Sequence, residues 1–270
     1  MDATNITKEK GSAPGPTLAI FAGVHGNEKA GVLALEKVKK EVNIRAGTVY
    51  FVLANPKAIE QDVRFIEKNL NRCFLSSATG NTYEEQRARE LMSLLDGCDA
   101  LLDLHASNAD KSTPFIICES NAYDIAKRLD FTLISSGWDH IEPGATDGYM
   151  YQQGKPGLCL ECGSLKYSED HVGLAEDSIY QFLQYFGCIP PIVSPHSRDQ
   201  RFIQAKKAVI KRTEDFYLTK QYQDFDELSQ GEIIAYEDGH PITANGGECT
   251  IFPDETRQVG QEAFILGEFK

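Results

Sequence analysis

The sequence predicts an α/β protein followed by a small β-rich domain, and two observations support this prediction. Apolar, strand-like runs alternate with segments of helical periodicity as far as residue 186. That order is typical of a parallel or mixed sheet covered on both faces by helices. Three prolines then fall within residues 189–195, which read IPPIVSP. Because proline cannot continue a helix and restricts its neighbour, we place a domain boundary there, between residues 1–195 and 196–270.

The first α/β unit opens near the N-terminus. Residues 17–24, TLAIFAGV, are apolar and end in a glycine-containing turn, as expected for a strand buried on both faces. Residues 28–42 follow, with apolar residues close to a 3.6-residue period at Ala30, Leu33, Ala34, Val38 and Val42. This spacing predicts a helix with one apolar face.

The alternation continues along the chain. Further strands are predicted at residues 48–54, 100–104, 114–118, 131–134 and 157–161, and helices at residues 83–95, 122–129 and 174–186. After the boundary, short β-like runs at residues 232–236, 249–252 and 263–266 alternate with glycine-containing turns at residues 238–239, 245–247 and 260. Turn signals at such spacing predict a small β-rich domain.

Charge and composition exclude several classes of partner. The chain of 270 residues has 40 acidic and 27 basic side chains, a formal net charge of −13, and no basic tract of five or more. This balance disfavours binding to nucleic acid and to anionic membrane surfaces. Seven cysteines without dense spacing indicate free thiols in a reducing compartment. With neither a signal-peptide pattern nor a membrane-span pattern, we expect a cytoplasmic protein; whether it forms a homo-oligomer is left open.

Metal-ligating side chains follow two of the predicted strands. His25 and Glu28 come directly after the first strand, and His105 directly follows residues 100–104. Active sites of open α/β sheets lie outside the carboxyl ends of the strands, so we expect these side chains to be neighbours. Two histidines and one glutamate supply three ligands and leave a fourth position open, which is the composition of a catalytic zinc site. We therefore expect one Zn²⁺ per chain.

The strand at residues 157–161 ends in a glutamate. Glu161 follows an apolar run, and a half-buried carboxylate at a strand end can act as general base. Spacing alone leaves a surface glutamate equally open. Cys159 and Cys162 form a C-x-x-C pattern, but strand alternation directs them to opposite faces. We interpret both cysteines as packing residues.

A segment between residues 55 and 74 carries Arg64, Asn71 and Arg72. Arginine forks bind carboxylates in a bidentate manner and can stabilise an oxyanion. The residue types alone do not distinguish this role from that of solvated surface charges. The chain has no G-x-S-x-G, no H-E-x-x-H, and no G-x-G-x-x-G after the first strand, which disfavours competing chemistries.

Taken together, four motifs resemble the succinylglutamate desuccinylase/aspartoacylase family, a branch of the zinc carboxypeptidase superfamily. They are AGVHGNEKAG, NPKAIEQDVRFIEKNLNRCF, DLHAS and the strand that ends at Glu161, and they occur in the expected order. The resemblance implies a carboxypeptidase-like mixed sheet flanked by helices, with a small β-rich C-terminal domain partly covering the site entrance.

The resemblance also implies a role for each motif residue. His25, Glu28 and His105 would bind zinc. Glu161 would be the general base and proton shuttle, and Arg64 would polarise the scissile carbonyl. The substrate's carboxylate would be anchored by the pair Asn71 and Arg72.

One departure from the family pattern concerns substrate specificity. Aspartoacylases are expected to carry an arginine about ten residues before the catalytic glutamate, where this chain reads GYMYQQGKPGLCLE. We expect Tyr149 and Lys155 to contact the substrate instead, with Lys155 as a point charge lacking the fork geometry of arginine.

The function predicted from these residues is hydrolysis of the amide bond in a small, anionic N-acyl amino acid. Two alternatives stay open. A zinc carboxypeptidase acting on short peptides would use the same residues, and a binding module without catalysis would keep only the pocket.

Overall fold

The computed structural model describes residues 5–75, 79–107, 112–191 and 199–270. In these residues the strands are β1 (Ile6–Lys10), β2 (Ala13–Ala22), β3 (Ala46–Leu53), β4 (Ala100–Ser107), β5 (Phe115–Cys118), β6 (Leu133–Ser136), β7 (Gly157–Ser164), β8 (Arg201–Ile210), β9 (Tyr217–Leu218), β10 (Ile233–Glu237), β11 (His240–Thr243), β12 (Glu248–Ile251) and β13 (Glu262–Phe269). The helices are α1 (Lys29–Glu41), α2 (Pro56–Gln61), α3 (Tyr83–Leu95), α4 (Tyr123–Ala126), α5 (Thr146–Gln152) and α6 (Glu169–Tyr185), with 3₁₀ turns at Leu70–Arg72 and Ser120–Ala122.

A mixed sheet forms the centre of the molecule, which confirms the predicted fold class. Within the described residues it has ten strands in the order β1-β3-β2-β4-β7-β5-β6-β8-β13-β12. The strands β3, β2, β4 and β7 pair in parallel with one another, whereas β1 runs antiparallel to β3 and β5 runs antiparallel to β7. A second sheet has the order β11-β10-β9.

The C-terminal strands continue the same large sheet. Strand β8 pairs in parallel with β6, and β13 and β12 follow it in antiparallel pairs. The backbone N–H and C=O groups on one edge of β6 are therefore paired by β8, which lies after residue 199 in the chain. The division into two domains near residue 195 stays a prediction. Of the three prolines on which it was based, Pro195 lies outside the described residues.

The sequence pattern places α3 correctly but misses β8. Helix α3 spans the predicted residues and begins with a capping box between Thr82 and Glu85. In β8, the neighbouring residues Lys206 and Lys207 are both exposed, so the alternation of buried and exposed residues breaks. The pairing with β13 shifts register at this point, as a β-bulge does. The predicted helix at residues 122–129 is also shorter, since α4 ends at Ala126.

The central strands are buried on both faces, as their apolar runs predicted. In β2, Leu18 and Ile20 belong to one core cluster, while Ala19 and Phe21 belong to the cluster on the other face. Core packing on both sides holds the strand ends in one place. The residues that follow β2 are therefore presented at a rigid edge.

The cysteines are buried and unpaired. Cys159 packs in one cluster and Cys162 in another, which confirms that the two thiols point to opposite faces of β7. Among the described helices, none combines the length and the apolar character that crossing a bilayer requires.

Candidate functional site

Two neighbouring strands and one turn bring the predicted site residues together. His25 and Glu28 lie in the turn between β2 and α1, and register pairs His105 of β4 with Glu161 of β7. Both strands are longer than predicted, so His105 and Glu161 lie within them rather than after or at their ends. All four side chains are buried, with at most 7% of their surface exposed.

His25, Glu28 and His105 form a compact cluster. His25 Nδ1 lies 2.6 Å from Glu28 Oε1, and His105 Nδ1 lies 3.1 Å from Glu28 Oε2. One ligand atom from each residue lies within 4.8 Å of the other two. This separation suits three ligands of one metal ion, whose bonds to nitrogen and oxygen are about 2.0–2.2 Å long.

A further hydrogen-bond acceptor orients each histidine ring. His25 Nε2 lies 2.9 Å from Asn69 Oδ1, and His105 Nε2 lies 3.0 Å from Asp103 Oδ2. Asp103 Oδ2 also accepts a hydrogen bond of 2.5 Å from Thr146 Oγ1. Both rings thus direct Nδ1 toward Glu28 while the opposite nitrogen is held. Metal-binding histidines in proteins have this arrangement, so the residues fit a metal centre.

The protonation equilibria of the cluster agree with this fit. Burial lowers the pKa of His25 to about 4, which leaves its ring neutral and able to bind a metal. Burial would raise the pKa of Glu28, but the two histidines outweigh this effect and lower it well below the usual range. For His105, burial acts to lower the pKa, and Asp103 and other neighbouring charges raise it well above its ordinary value. Metal binding at His105 would therefore release a proton.

Glu161 lies beside this cluster with a free acceptor. Its Oε2 is buried and has no hydrogen-bond partner among the described residues. Burial and the neighbouring Glu28 raise the pKa of Glu161 to about 8, against the opposing effect of His105 and Arg64. A carboxylate with a raised pKa and an open acceptor is suited to taking up a proton.

The three residues of the arginine-containing segment also line the pocket. Arg64 Nη1 donates to Glu28 Oε1 at 3.1 Å. Asn71 Oδ1 accepts from the backbone N–H of Thr146 at 3.2 Å. Arg72 forms an ion pair with Glu142 and donates from Nη1 to the carbonyl of Asn71 at 2.7 Å.

Tyr149 and Lys155 are not among the residues that line this pocket, and the expectation that they contact the substrate stays a prediction. The Tyr149 hydroxyl donates to Asp96 Oδ1 at 2.6 Å. Lys155 Nζ donates to the carbonyls of Leu95 and Asp96, at 3.3 and 2.8 Å. Both side chains bind the C-terminal end of α3, where free carbonyls attract a cation.

The pocket around these residues has a volume of about 1020 Å³. Residues from both the N-terminal and the C-terminal parts of the chain line it. From the C-terminal part come residues that no sequence motif indicated: Gln221, Gln223, Phe252, Arg257 and Ile265. Sequence reasoning also missed the orienting residues Asn69 and Thr146. Asn69 could have been found, since it lies next to Leu70 in the same N-L-N-R motif as Asn71.

The fold and the pocket first define a class, an α/β protein whose His, Glu, His cluster and adjacent glutamate suit hydrolytic chemistry. A family model described as the succinylglutamate desuccinylase/aspartoacylase catalytic domain matches residues 14–185. The chain belongs to this family, whose named members include deacylases of N-acyl amino acids.

Relatives and a solved structure agree with the family. A probable aspartoacylase from a Nostoc species is 34% identical over 199 residues, which are 65% of this chain and 67% of that protein. A succinylglutamate desuccinylase from Vibrio cholerae is 25% identical over 279 residues, covering 92% of this chain and 79% of the relative. The crystal structure of succinylglutamate desuccinylase from Vibrio cholerae has a TM-score of 0.81 at 20% identity, covers 97% of this chain and 85% of that one, and shows the shared fold.

Proposed function

We propose that the protein is a zinc-dependent hydrolase that cleaves the amide bond of a small N-acyl amino acid. The observation that carries the proposal is that the His25, Glu28 and His105 cluster shares one pocket with an unpartnered oxygen of Glu161. The named activities of the relatives, aspartoacylase and succinylglutamate desuccinylase, support the substrate class.

His25, Glu28 and His105 would hold the zinc ion, with Asn69 and Asp103 keeping the rings in orientation. Zinc bound there would supply a Lewis acid for the acyl carbonyl and would lower the pKa of water. The chemistry of the donor set agrees with this choice, since two imidazoles and one carboxylate leave a coordination position open.

Glu161 is the proposed general base. Its Oε2 takes a proton from the attacking water while the water oxygen bonds to the acyl carbon. Glu161 then returns the proton to the amide nitrogen, the carbon–nitrogen bond breaks, and the amino acid leaves as an amine. Without a metal ion the pKa of Glu161 is raised to about 8, which suits return of the proton; the charge of a bound zinc ion would lower it toward the carboxylate form that takes the proton up.

Arginine and amide groups complete the proposed site. Arg64 donates to the oxyanion that develops on the acyl oxygen, and burial lowers the pKa of its guanidinium without discharging it. Asn71 and Arg72 bind the carboxylate of the amino acid. Because Arg72 is already ion-paired with Glu142, the substrate must share or replace that partner.

The variant Glu161→Gln tests the mechanism. It keeps the shape of the side chain but cannot accept the proton, so turnover should fall by about 10²- to 10⁴-fold while zinc content stays the same. Zinc is measured by elemental analysis, and turnover with a panel of N-acyl amino acids and dipeptides. Chelator treatment of the unaltered protein should abolish activity and added zinc should restore it.

Three results would count against this proposal. Unchanged turnover in Glu161→Gln would remove Glu161 as the base, and cleavage of dipeptides alone would favour a carboxypeptidase. A protein that neither retains zinc nor gains activity from it would be a binding module.

A further inference from the structure

One wall of the pocket is apolar and begins next to Glu161. Five residues that line the pocket belong to or pack against a single buried cluster: Ile117, Trp138, Cys159, Phe252 and Ile265. We call these five residues the apolar wall. Most of the buried members of this cluster belong to strands of the large sheet, so the wall is a packed surface rather than a set of isolated exposed side chains.

Strand register explains why the pocket has a polar side and an apolar side. Cys159 and Glu161 are two residues apart in β7 and share a face. On one side of β7, Glu161 pairs with His105 of β4. On the other side, β5 pairs Phe115 with Glu161 and Ile117 with Cys159. The base therefore lies at the border, with metal-ligating groups toward β4 and hydrocarbon toward β5.

Trp138 and Phe252 lie outside the strands and add two aromatic rings to the apolar wall. Trp138 Nε1 donates to Ser135 Oγ at 2.9 Å, so its one polar atom is already satisfied. The rings of Trp138 and Phe252 lie 5.7 Å apart. An apolar group placed against them would bury surface without leaving a polar atom unpaired.

None of the five residues of the apolar wall is a lysine or arginine, so none of them can pair with a second substrate carboxylate. Among the described residues that line the pocket, lysine and arginine occur at positions 64, 72, 220 and 257, none of which is in β5, β6 or β7. The nearby Asp147 lines the pocket too, and its carboxylate accepts from the backbone N–H groups of residues 147 and 148. Burial and two neighbouring aspartates raise the pKa of Asp147 to about 7. A substrate carboxylate placed there would meet another carboxyl group rather than a cation.

The position of Arg72 indicates which part of the substrate meets this wall. Arg72 is ion-paired with Glu142, and the backbone N–H of Glu142 donates to the carbonyl of Trp138 at 2.8 Å. The anchor for the amino acid's carboxylate and the apolar wall thus meet at one turn. A side chain attached to the carbon that bears the carboxylate lies within reach of Trp138.

We infer that the amino acid released by this enzyme carries a large apolar or aromatic side chain, which binds against Ile117, Trp138, Cys159, Phe252 and Ile265. This inference rests on the proposed function, because it takes Asn71 and Arg72 as the carboxylate anchor. It separates the protein from enzymes that must bind two carboxylates in the released amino acid.

A substrate panel tests the inference with the zinc-loaded, full-length protein. The panel contains the N-acetyl derivatives of L-phenylalanine, L-leucine, L-aspartate, L-glutamate and L-lysine. We expect kcat/KM for phenylalanine or leucine to exceed that for the charged amino acids at least tenfold. A best substrate among aspartate, glutamate and lysine would overturn the inference. Hydrolysis of none of the five would instead count against the proposed function.

A pair of matched variants tests the wall itself. Ile117→Ala removes part of the wall, whereas Ile203→Ala removes the same atoms from the same cluster at a residue that does not line the pocket. We expect Ile117→Ala to lower the ratio of kcat/KM for N-acetyl-L-phenylalanine to that for N-acetyl-L-alanine several-fold, and Ile203→Ala to leave it unchanged. An unchanged ratio in Ile117→Ala, or an equal fall in both variants, would overturn the inference. If Ile117→Ala does not fold, the panel still decides.

Discussion

The two sides of the pocket are built in different ways. On the side of β2, β4 and β7, the polar side chains come from short sequence motifs. The acceptors that orient the two histidines, Asn69 for His25 and Asp103 for His105, also belong to these motifs. On the C-terminal side, the residues that line the pocket follow no motif and are held by contacts between distant segments. The difference teaches that local sequence encodes the reactive groups, while long-range packing encodes the shape of the space around them.

Asp224 is the centre of the C-terminal side. Its buried carboxylate accepts from Ser112 Oγ at 2.7 Å, from Ser107 Oγ at 3.4 Å and from the backbone N–H of Phe252 at 2.7 Å. Ser107 ends β4, the strand that carries His105. This carboxylate therefore ties the C-terminal segment to the end of the strand that carries His105.

Two phenylalanines near Asp224 adopt a left-handed backbone conformation. The φ angles of Phe225 and Phe252 are 68° and 54°, which cost roughly 1 kcal/mol or more each for residues with a Cβ atom. Both rings pack on Phe115, with centroids 4.8 and 5.6 Å away. Since Phe115 is the register partner of Glu161, this aromatic packing holds the C-terminal segment against β5 and β7.

Three variants test this comparison between the two sides of the pocket. The largest effect is expected from Asp103→Asn, on the side formed by β2, β4 and β7. An amide cannot reproduce the charged acceptor that Asp103 offers to both His105 and Thr146. Loss of such an orienting carboxylate lowers metal affinity or activity by about 10- to 100-fold. Zinc affinity measured by chelator competition, together with kcat/KM, checks this. Unaltered values for both would show that His105 needs no orientation from Asp103.

A moderate effect is expected on the C-terminal side, from Asp224→Asn. Weakening a buried acceptor of three donors should lower the free energy of unfolding by about 1–3 kcal/mol and raise KM, while zinc content stays unchanged. Denaturant unfolding and steady-state kinetics check both effects. The exposed Asp215→Asn serves as control and should change neither. A loss of zinc in Asp224→Asn would mean that the two sides are not separable.

The smallest effect is expected from Arg257→Gln. Arg257 lines the pocket close to Arg64. The pKa of the Arg64 guanidinium is lowered mainly by burial; Glu28 opposes this effect, and the charge of Arg257 adds to it. Its charge adds to the positive potential that an anionic substrate meets. Because Arg257 is partly exposed and already near Asp254, we expect KM to rise by about fivefold or less, and the difference to shrink at high salt. A fall in kcat without a change in KM would contradict a role in substrate attraction.

The histidine and glutamate side of the pocket could be predicted from sequence because its signals are local. His25 and Glu28 are three residues apart at the end of an apolar strand, and His105 and Glu161 each lie at or near the end of another. Parallel strands end at one edge of a sheet, so strand ends that are distant in sequence meet in space. Glu161 remained ambiguous because burial, which raises its pKa, is a property of the folded chain.

Tyr149 and Lys155 show what such reasoning does not decide. They precede Glu161 closely in sequence, yet their side chains bind the end of α3. The helix α5, which contains Tyr149, was not predicted, and its course decides where that side chain lies. Proximity along the chain does not determine the direction of a side chain when the intervening element is unknown.

The sequence by itself determined the fold class and the residues that can bind a metal or move a proton, because periodicity and short motifs act over a few residues. Only the tertiary structure decided that β8, β12 and β13 extend the central sheet, that Asp224 ties them to β4, and that an apolar wall stands beside Glu161. These features depend on strand register and on contacts between residues far apart in the chain, which no local pattern specifies.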